Sequence, residues 1–240
     1  KQDLFFEIAS IDYPIIDADA HVNEPPDLWQ KRVPKNLLER APKVVSTKDG
    51  EFWSFDQGKR MRPLGLTATA GLNPVDYRPT GRTYDAIRPG SFDTQARLQD
   101  MDIDGIDHAV LYPSVTLTGA ATYAEDRPLQ LACVRAYNEW LLEFAGPSED
   151  RLLPLAIIPT TSTKDATEEL RWAIDHRHRG VIISAFPNGS LDPKEEDAEF
   201  WETVAALKMP VSIHIGSFTS NTSGGKHPAY DSREFLAGAG

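Results

Sequence analysis

Apolar and polar positions organise the second half of this chain into a repeat. Leu153-Pro154-Leu155-Ala156-Ile157-Ile158, Val181-Ile182-Ile183-Ser184 and Val211-Ser212-Ile213-His214-Ile215 are short, nearly continuous apolar runs. Runs of this length and character predict strands covered on both faces. They start about 28 to 30 residues apart, with a helical pattern in each gap, which is the mark of βα repetition and a parallel sheet. Thr163 to His178 predicts a helix closed by Gly180. Asp192, Pro193 and Glu195 predict the start of another, with Ala198, Trp201, Val204 and Ala205 on its apolar face.

Upstream, Ala109-Val110-Leu111-Tyr112 predicts a strand between helices over Thr94–Asp102 and Pro128–Ala145. The second helix carries Leu129, Ala132, Tyr137, Trp140, Leu141 and Phe144 near helical spacing, and Gly146-Pro147 stops it. Tyr13 to Asp19 is the first predicted strand. From about residue 23 to about residue 92 the chain is dense in Pro, Gly and Arg and carries no strong periodicity. Only Glu51-Phe52-Trp53-Ser54-Phe55 alternates like a strand, so the segment reads as an excursion over one end of the domain.

A doubly wound open sheet and a (β/α)₈ TIM barrel both fit this order of elements. No glycine-rich phosphate loop follows the first strand, against the dinucleotide-binding open sheet. Asp19, His21, Ser114, Ser184 and His214 collect at the C-terminal ends of strands, where barrel sites are built. The expectation is a single α/β barrel domain over residues 1–240, with about its first five βα units in this chain.

The formal charge of −11 opposes phosphate-backbone binding, which needs a basic face. No apolar run reaches the roughly 18 residues of a membrane helix, and no signal peptide is visible. These features predict a cytoplasmic enzyme with a small-molecule substrate, no nucleic-acid or membrane partner, and a homodimer left open. Cys133, alone of its kind, lies in an apolar helical run and predicts a buried small hydrophobe.

Asp17-Ala18-Asp19-Ala20-His21 is the first candidate for chemistry. Strand alternation predicts Asp17, Asp19 and His21 on one face, an arrangement costly inside a barrel unless something pairs with it. A divalent metal supplies that partner. The plainer alternative is that Asp19 caps a turn and His21 is a satisfied loop residue. His214, between Ile213 and Ile215, is by itself more often a core histidine than a ligand; an Asp-x-His strand in the same chain favours the ligand reading.

The stretches IIDADAHVNEPPDLW, ARLQDMDIDGIDHAVLYPS and VSIHIGS resemble the amidohydrolase superfamily, most nearly its amidohydrolase-2 group, related to aminocarboxymuconate-semialdehyde decarboxylase. The resemblance implies a barrel whose metal is held by a pair on strand one, here Asp19 and His21, and by a strand-five histidine, here His214. It implies one divalent ion, zinc first, with manganese or iron as alternatives. Asp19 stands where the family has His or Glu. The family's last ligand, an aspartate on strand eight, falls beyond residue 240, so a fragment is expected.

The implied activity is hydrolysis of a small organic substrate, aromatic or carboxylate-bearing, through a metal-activated water. Asp19 and His214 take the catalytic roles. Non-oxidative decarboxylation is the alternative, and an inactive scaffold the second. Glu24 and His227 are candidates for substrate contact, and Asp17 for support behind the ligands. His176 and His178, at a helix C-terminus, read as solvated. His108 lies at the wrong end of the barrel. Arg78, Arg82 and Arg88 could grip a carboxylate but read more readily as loop residues.

Overall fold

The computed structural model describes residues 13–116, 119–123, 125–190 and 192–214. The repeat read from the sequence is a five-stranded parallel sheet. Its strands are β1 (Ile16–Val22), β5 (His108–Pro113), β6 (Leu152–Ile157), β7 (Gly180–Ile183) and β8 (Val211–Ile213), in the order β1-β5-β6-β7-β8. Helices α2 (Thr94–Asp104), α3 (Arg127–Ala145), α4 (Thr163–Asp175) and α5 (Ala198–Leu207) fill the connections. The sheet is rolled into a half-barrel. Laid flat, strands β1 and β8 would lie roughly 19 Å apart, from four spacings of about 4.8 Å. Instead, side chains from these two edges meet at 3.1 Å.

The excursion is more regular than its sequence suggests. After a short helix α1 (Leu28–Arg32), strands β2 (Lys43–Thr47), β3 (Gly50–Phe55) and β4 (Arg60–Pro63) form an antiparallel meander. The predicted strand at 51–55 is its centre. Its flanks escaped notice because Lys43–Thr47 and Arg60–Pro63 bury little, leaving no alternation to read. Trp53 packs edge-on against Trp29, which in turn meets Tyr123, and with the fully buried Phe55 these side chains join the meander to the main core.

Other boundaries move for local reasons. Strand β1 begins three residues later than predicted and runs through His21. Helix α5 starts at Ala198, not near Pro193, after a 3-10 turn at Glu195–Asp197. There Asp197, not Asp192, accepts the backbone N–H of Lys194 (2.9 Å) and of Asn188 (2.8 Å). Helix α4 closes through Arg177, which takes the left-handed conformation (φ +69°). Gly180 opens β7, where a Cβ would fall 2.7 Å from the Leu155 side chain.

That reversal corrects one histidine. His176 is exposed and stacks on Trp172, but His178 is 5% exposed. Its backbone N–H donates to Ala173, folding the residue back under the helix. Burial pulls its imidazole down to about 4, so it is neutral rather than a solvated cation.

Asn138 on α3 does work usually done by a strand. It is fully buried; its Nδ2 donates to the Ile157 carbonyl (3.0 Å), and its Oδ1 accepts the Ile157 N–H (2.8 Å). Pairing of β5 with β6 has ended by then, at Leu111–Pro154, so the amide supplies the missing partner. The same Nδ2 reaches Glu169 on α4 (2.8 Å), which also pairs with Arg135. Asn138→Ala is expected to cost about 2–3 kcal/mol, because it strands buried backbone groups worth roughly 1–3 kcal/mol each. Urea unfolding at neutral pH measures it; a loss below about 0.5 kcal/mol, the scale of a plain surface substitution, would contradict this assignment.

Candidate metal centre

Strand β1 carries the first two donors, and its backbone is irregular where they sit. Asp17 pairs with Ala109 and Ala20 with Leu111, so three steps along β1 match two along β5. This is a bulge at Ala18-Asp19, the kind of local extra residue that re-aims side chains beside active sites. The Asp17 carboxylate accepts the Asp19 N–H (3.1 Å) within it.

The bulge corrects the predicted face. His21 pairs with Tyr112 and Asp17 with Ala109, and residues 109 and 112 point to opposite sides of β5. Asp17 therefore faces away from His21, towards α2. There the nearby Asp17 charge opposes the burial that lowers the Arg97 pKa. Arg97 donates to the carbonyls of Gly90 and His21, fixing the backbone of the ligand strand from outside. Neither the bulge nor this arginine is visible in the sequence pattern.

Asp19, His21 and His214 nonetheless converge. His21 Nε2 lies 3.1 Å from His214 Nε2 and 3.4 Å from Asp19 Oδ1, and His214 Nε2 lies 3.1 Å from the same oxygen. Two imidazole nitrogens and a carboxylate oxygen this close need a proton or a cation among them. Ligands bound at about 2.1 Å lie about 3.0 Å apart at right angles and about 3.4 Å apart at the tetrahedral angle. The observed triangle spans that interval, and N/N/O is a normal donor set for Zn²⁺, Mn²⁺ or Fe²⁺.

The imidazole of His21 is held in the tautomer that leaves Nε2 able to coordinate. Its Nδ1 lies 3.0 Å from the Pro113 carbonyl oxygen, which can only accept, so Nδ1 carries the proton and the Nε2 lone pair faces the triangle. Burial lowers its pKa, helped by His214 and opposed by Asp19 and the Pro113 carbonyl, which favours the neutral, coordinating form. The triangle opens on the Asp19 side, whose side chain is 65% exposed against 8% for His214.

Known proteins agree with this architecture. The family model described as Amidohydrolase, of the amidohydrolase-2 type, matches residues 16–237. This chain belongs to the amidohydrolase family.

No curated protein matches the sequence of this amidohydrolase. Among solved structures, an amidohydrolase from Mycobacterium avium subsp. paratuberculosis K-10 is similar, with TM-score 0.66 and 21% identity over 85% of this chain. So is 5-carboxyvanillate decarboxylase from Novosphingobium aromaticivorans, solved with manganese and 4-hydroxy-3-methoxy-5-nitrobenzoic acid, with TM-score 0.53 and 15% identity over 85% of this chain. At these identities the likeness establishes the fold, a partial TIM barrel. The amidohydrolase chain spans 58% and 50% of the lengths of those two proteins.

The remaining candidates of this amidohydrolase lie elsewhere. Glu24 is fully buried, with Oε2 accepting the Val115 N–H (3.1 Å) and Oε1 without a hydrogen-bond partner. His227 lies outside the described residues. Ser114 and Ser184 are buried at their strand ends. Gly119 (φ +90°) comes so close to Ser184 that a Cβ would fall 1.3 Å from its Oγ. Arg88 is paired bidentately with Asp100, while Arg78 and Arg82 staple their own loop through backbone carbonyls. His108 binds the Asp150 carbonyl (2.8 Å) at the start of β5, opposite the mouth. Cys133 is buried. Among the described residues, no helix is long and apolar enough to cross a membrane.

Proposed function

We propose that Asp19, His21 and His214 hold one divalent metal ion, and that with it this amidohydrolase hydrolyses a small organic substrate carrying an electrophilic carbonyl carbon. One observation carries the reading: three donor atoms from two distant strands lie 3.1, 3.1 and 3.4 Å apart at the mouth of the half-barrel. When bound, such an ion supplies Lewis acidity and lowers the pKa of coordinated water towards about 7. The protein's own part is orientation and proton handling. The Pro113 carbonyl fixes the His21 ring, and Asp19, on the open side, is placed to take a proton from the attacking nucleophile. His214 Nε2, 3.1 Å from that carboxylate, is given to the ion, so the catalytic part of His214 is to hold and orient it. Zinc is the first choice for this donor set, with manganese or iron as alternatives.

A second reading is non-oxidative decarboxylation of a carboxylate-bearing aromatic substrate. It is supported by the likeness to a decarboxylase solved with manganese and a nitrobenzoic acid. Elemental analysis is the first test: the purified protein should hold about one equivalent of transition metal, and a chelator should abolish turnover. Protein that turns over undiminished with no metal would overturn both readings. Carbon dioxide released from aromatic carboxylic acids, with no turnover of esters, amides or lactones, would replace the first reading by the second.

A further inference from the structure

The centre is assembled from opposite edges of the rolled sheet, and one side-chain contact spans the interior between them. Tyr112 on β5 and Ser212 on β8 share a hydrogen bond of 2.7 Å between their hydroxyls. These strands are not neighbours; β6 and β7 lie between them, a separation of roughly 14 Å in a flat sheet at about 4.8 Å per strand. The bond exists because the sheet is rolled, and it holds the sheet at that roll.

Its ends are close to both imidazoles. Tyr112 pairs in register with His21, and its ring centroid lies 5.8 Å from that of His21 and 5.3 Å from that of His214. Ser212 precedes His214 by two residues, so the two share the interior face. Tyr112 is only 8% exposed. The phenol therefore forms the floor under the donor triangle and ties the strand of one histidine to the strand of the other.

We propose that Tyr112 and Ser212 are positioning residues that set the distance between His21 and His214, and so tune the affinity of the centre for a divalent cation. This rests on the metal reading above. Its physical basis is that ligands from separate strands bind one ion well only when their spacing is fixed beforehand. The role requires the hydroxyls of both residues, not merely their bulk.

The test uses cobalt(II) alone as the probe, with the full chain. Dissociation constants come from titration of the cobalt visible bands, and fold integrity from circular dichroism and urea midpoints of the metal-free protein. Tyr112→Phe and Ser212→Val each remove one hydroxyl. Each should weaken cobalt binding about 10-fold, the lower end for residues that orient metal ligands, and shift the visible bands. The double variant should lose no more than either single one, because both break the same bond. Ser212→Thr differs from Ser212→Val only by restoring the hydroxyl and should bind as wild type.

Wild-type affinity and an unshifted spectrum in Tyr112→Phe would overturn the inference while leaving the centre intact. Equal losses in Ser212→Thr and Ser212→Val would also overturn it, because shape rather than the hydroxyl would then matter. A wild-type protein that takes up no cobalt would instead overturn the metal reading beneath it.

Discussion

Alanine at His214 is expected to sharply weaken binding of the proposed metal ion. A structural zinc site binds with about 10–16 kcal/mol over four ligands, so one ligand carries roughly 2.5–4 kcal/mol, an affinity loss on the order of 100- to 1,000-fold. At micromolar protein the variant should be purified with less metal than wild type. His21→Ala should behave alike, although it also leaves the Pro113 carbonyl without its donor. Asp19→Asn keeps a ligating oxygen but loses the negative charge, so its loss should be smaller and most evident for Mn²⁺, which favours carboxylate ligands. His214 follows β8, the last described strand, and Ile213 beside it is 58% exposed, so the fold should survive. Metal content by mass spectrometry, beside the urea midpoint of the metal-free protein, separates ligand loss from unfolding. Unchanged metal in either histidine variant would remove the residue from the centre.

The sequence exposes the donors of that centre but not their arrangement. Asp19, His21 and His214 stand out because charged or polar groups within apolar strand runs are costly, whatever the fold. The parallel order of β5 to β8 is legible for a related reason: a strand covered on both faces has nowhere to put polar side chains. Strand alternation fails at Asp17 because a bulge depends on register with β5, which no local pattern encodes. Tyr112 reads only as the apolar end of a strand. Its bond to Ser212 joins residues 100 positions apart and exists only once the sheet is rolled. Asn138 is equally silent, being polar within a largely apolar helix face, with a partner set by where β5 and β6 separate.

The excursion fails for the opposite reason. Only its central strand is buried, against a core supplied by other elements, and Trp53 and Phe55 reveal that strand alone. The same packing hides Glu24. At the exit of β1 its position suggests contact with substrate, yet Tyr84, from the excursion, donates to its carbonyl (2.8 Å), and the loop after β5 donates to its carboxyl. Burial there is a property of three segments converging, and none of them announces it.

That burial leads to the largest effect expected on stability. Desolvation pushes the Glu24 carboxyl up from 4.5 to about 8, opposed by the N–H groups it accepts and by Arg62. The folded protein therefore keeps a proton on Glu24 that the unfolded chain loses above 4.5. Stability from this residue is complete below pH 4.5 and declines as pH rises through about 8. At 1.36 kcal/mol per unit, the difference of about 3.5 units is on the order of 5 kcal/mol. Glu24→Gln keeps the shape and an acceptor for the Val115 N–H but cannot ionise. Urea unfolding of both proteins from pH 5 to pH 9 should show the variant gaining on wild type by about 1.4 kcal/mol per pH unit and levelling off above pH 8. A difference between the two that stays constant over this range would mean that Glu24 is ionised in the fold, and that the interior around Val115 and Tyr84 solvates its charge.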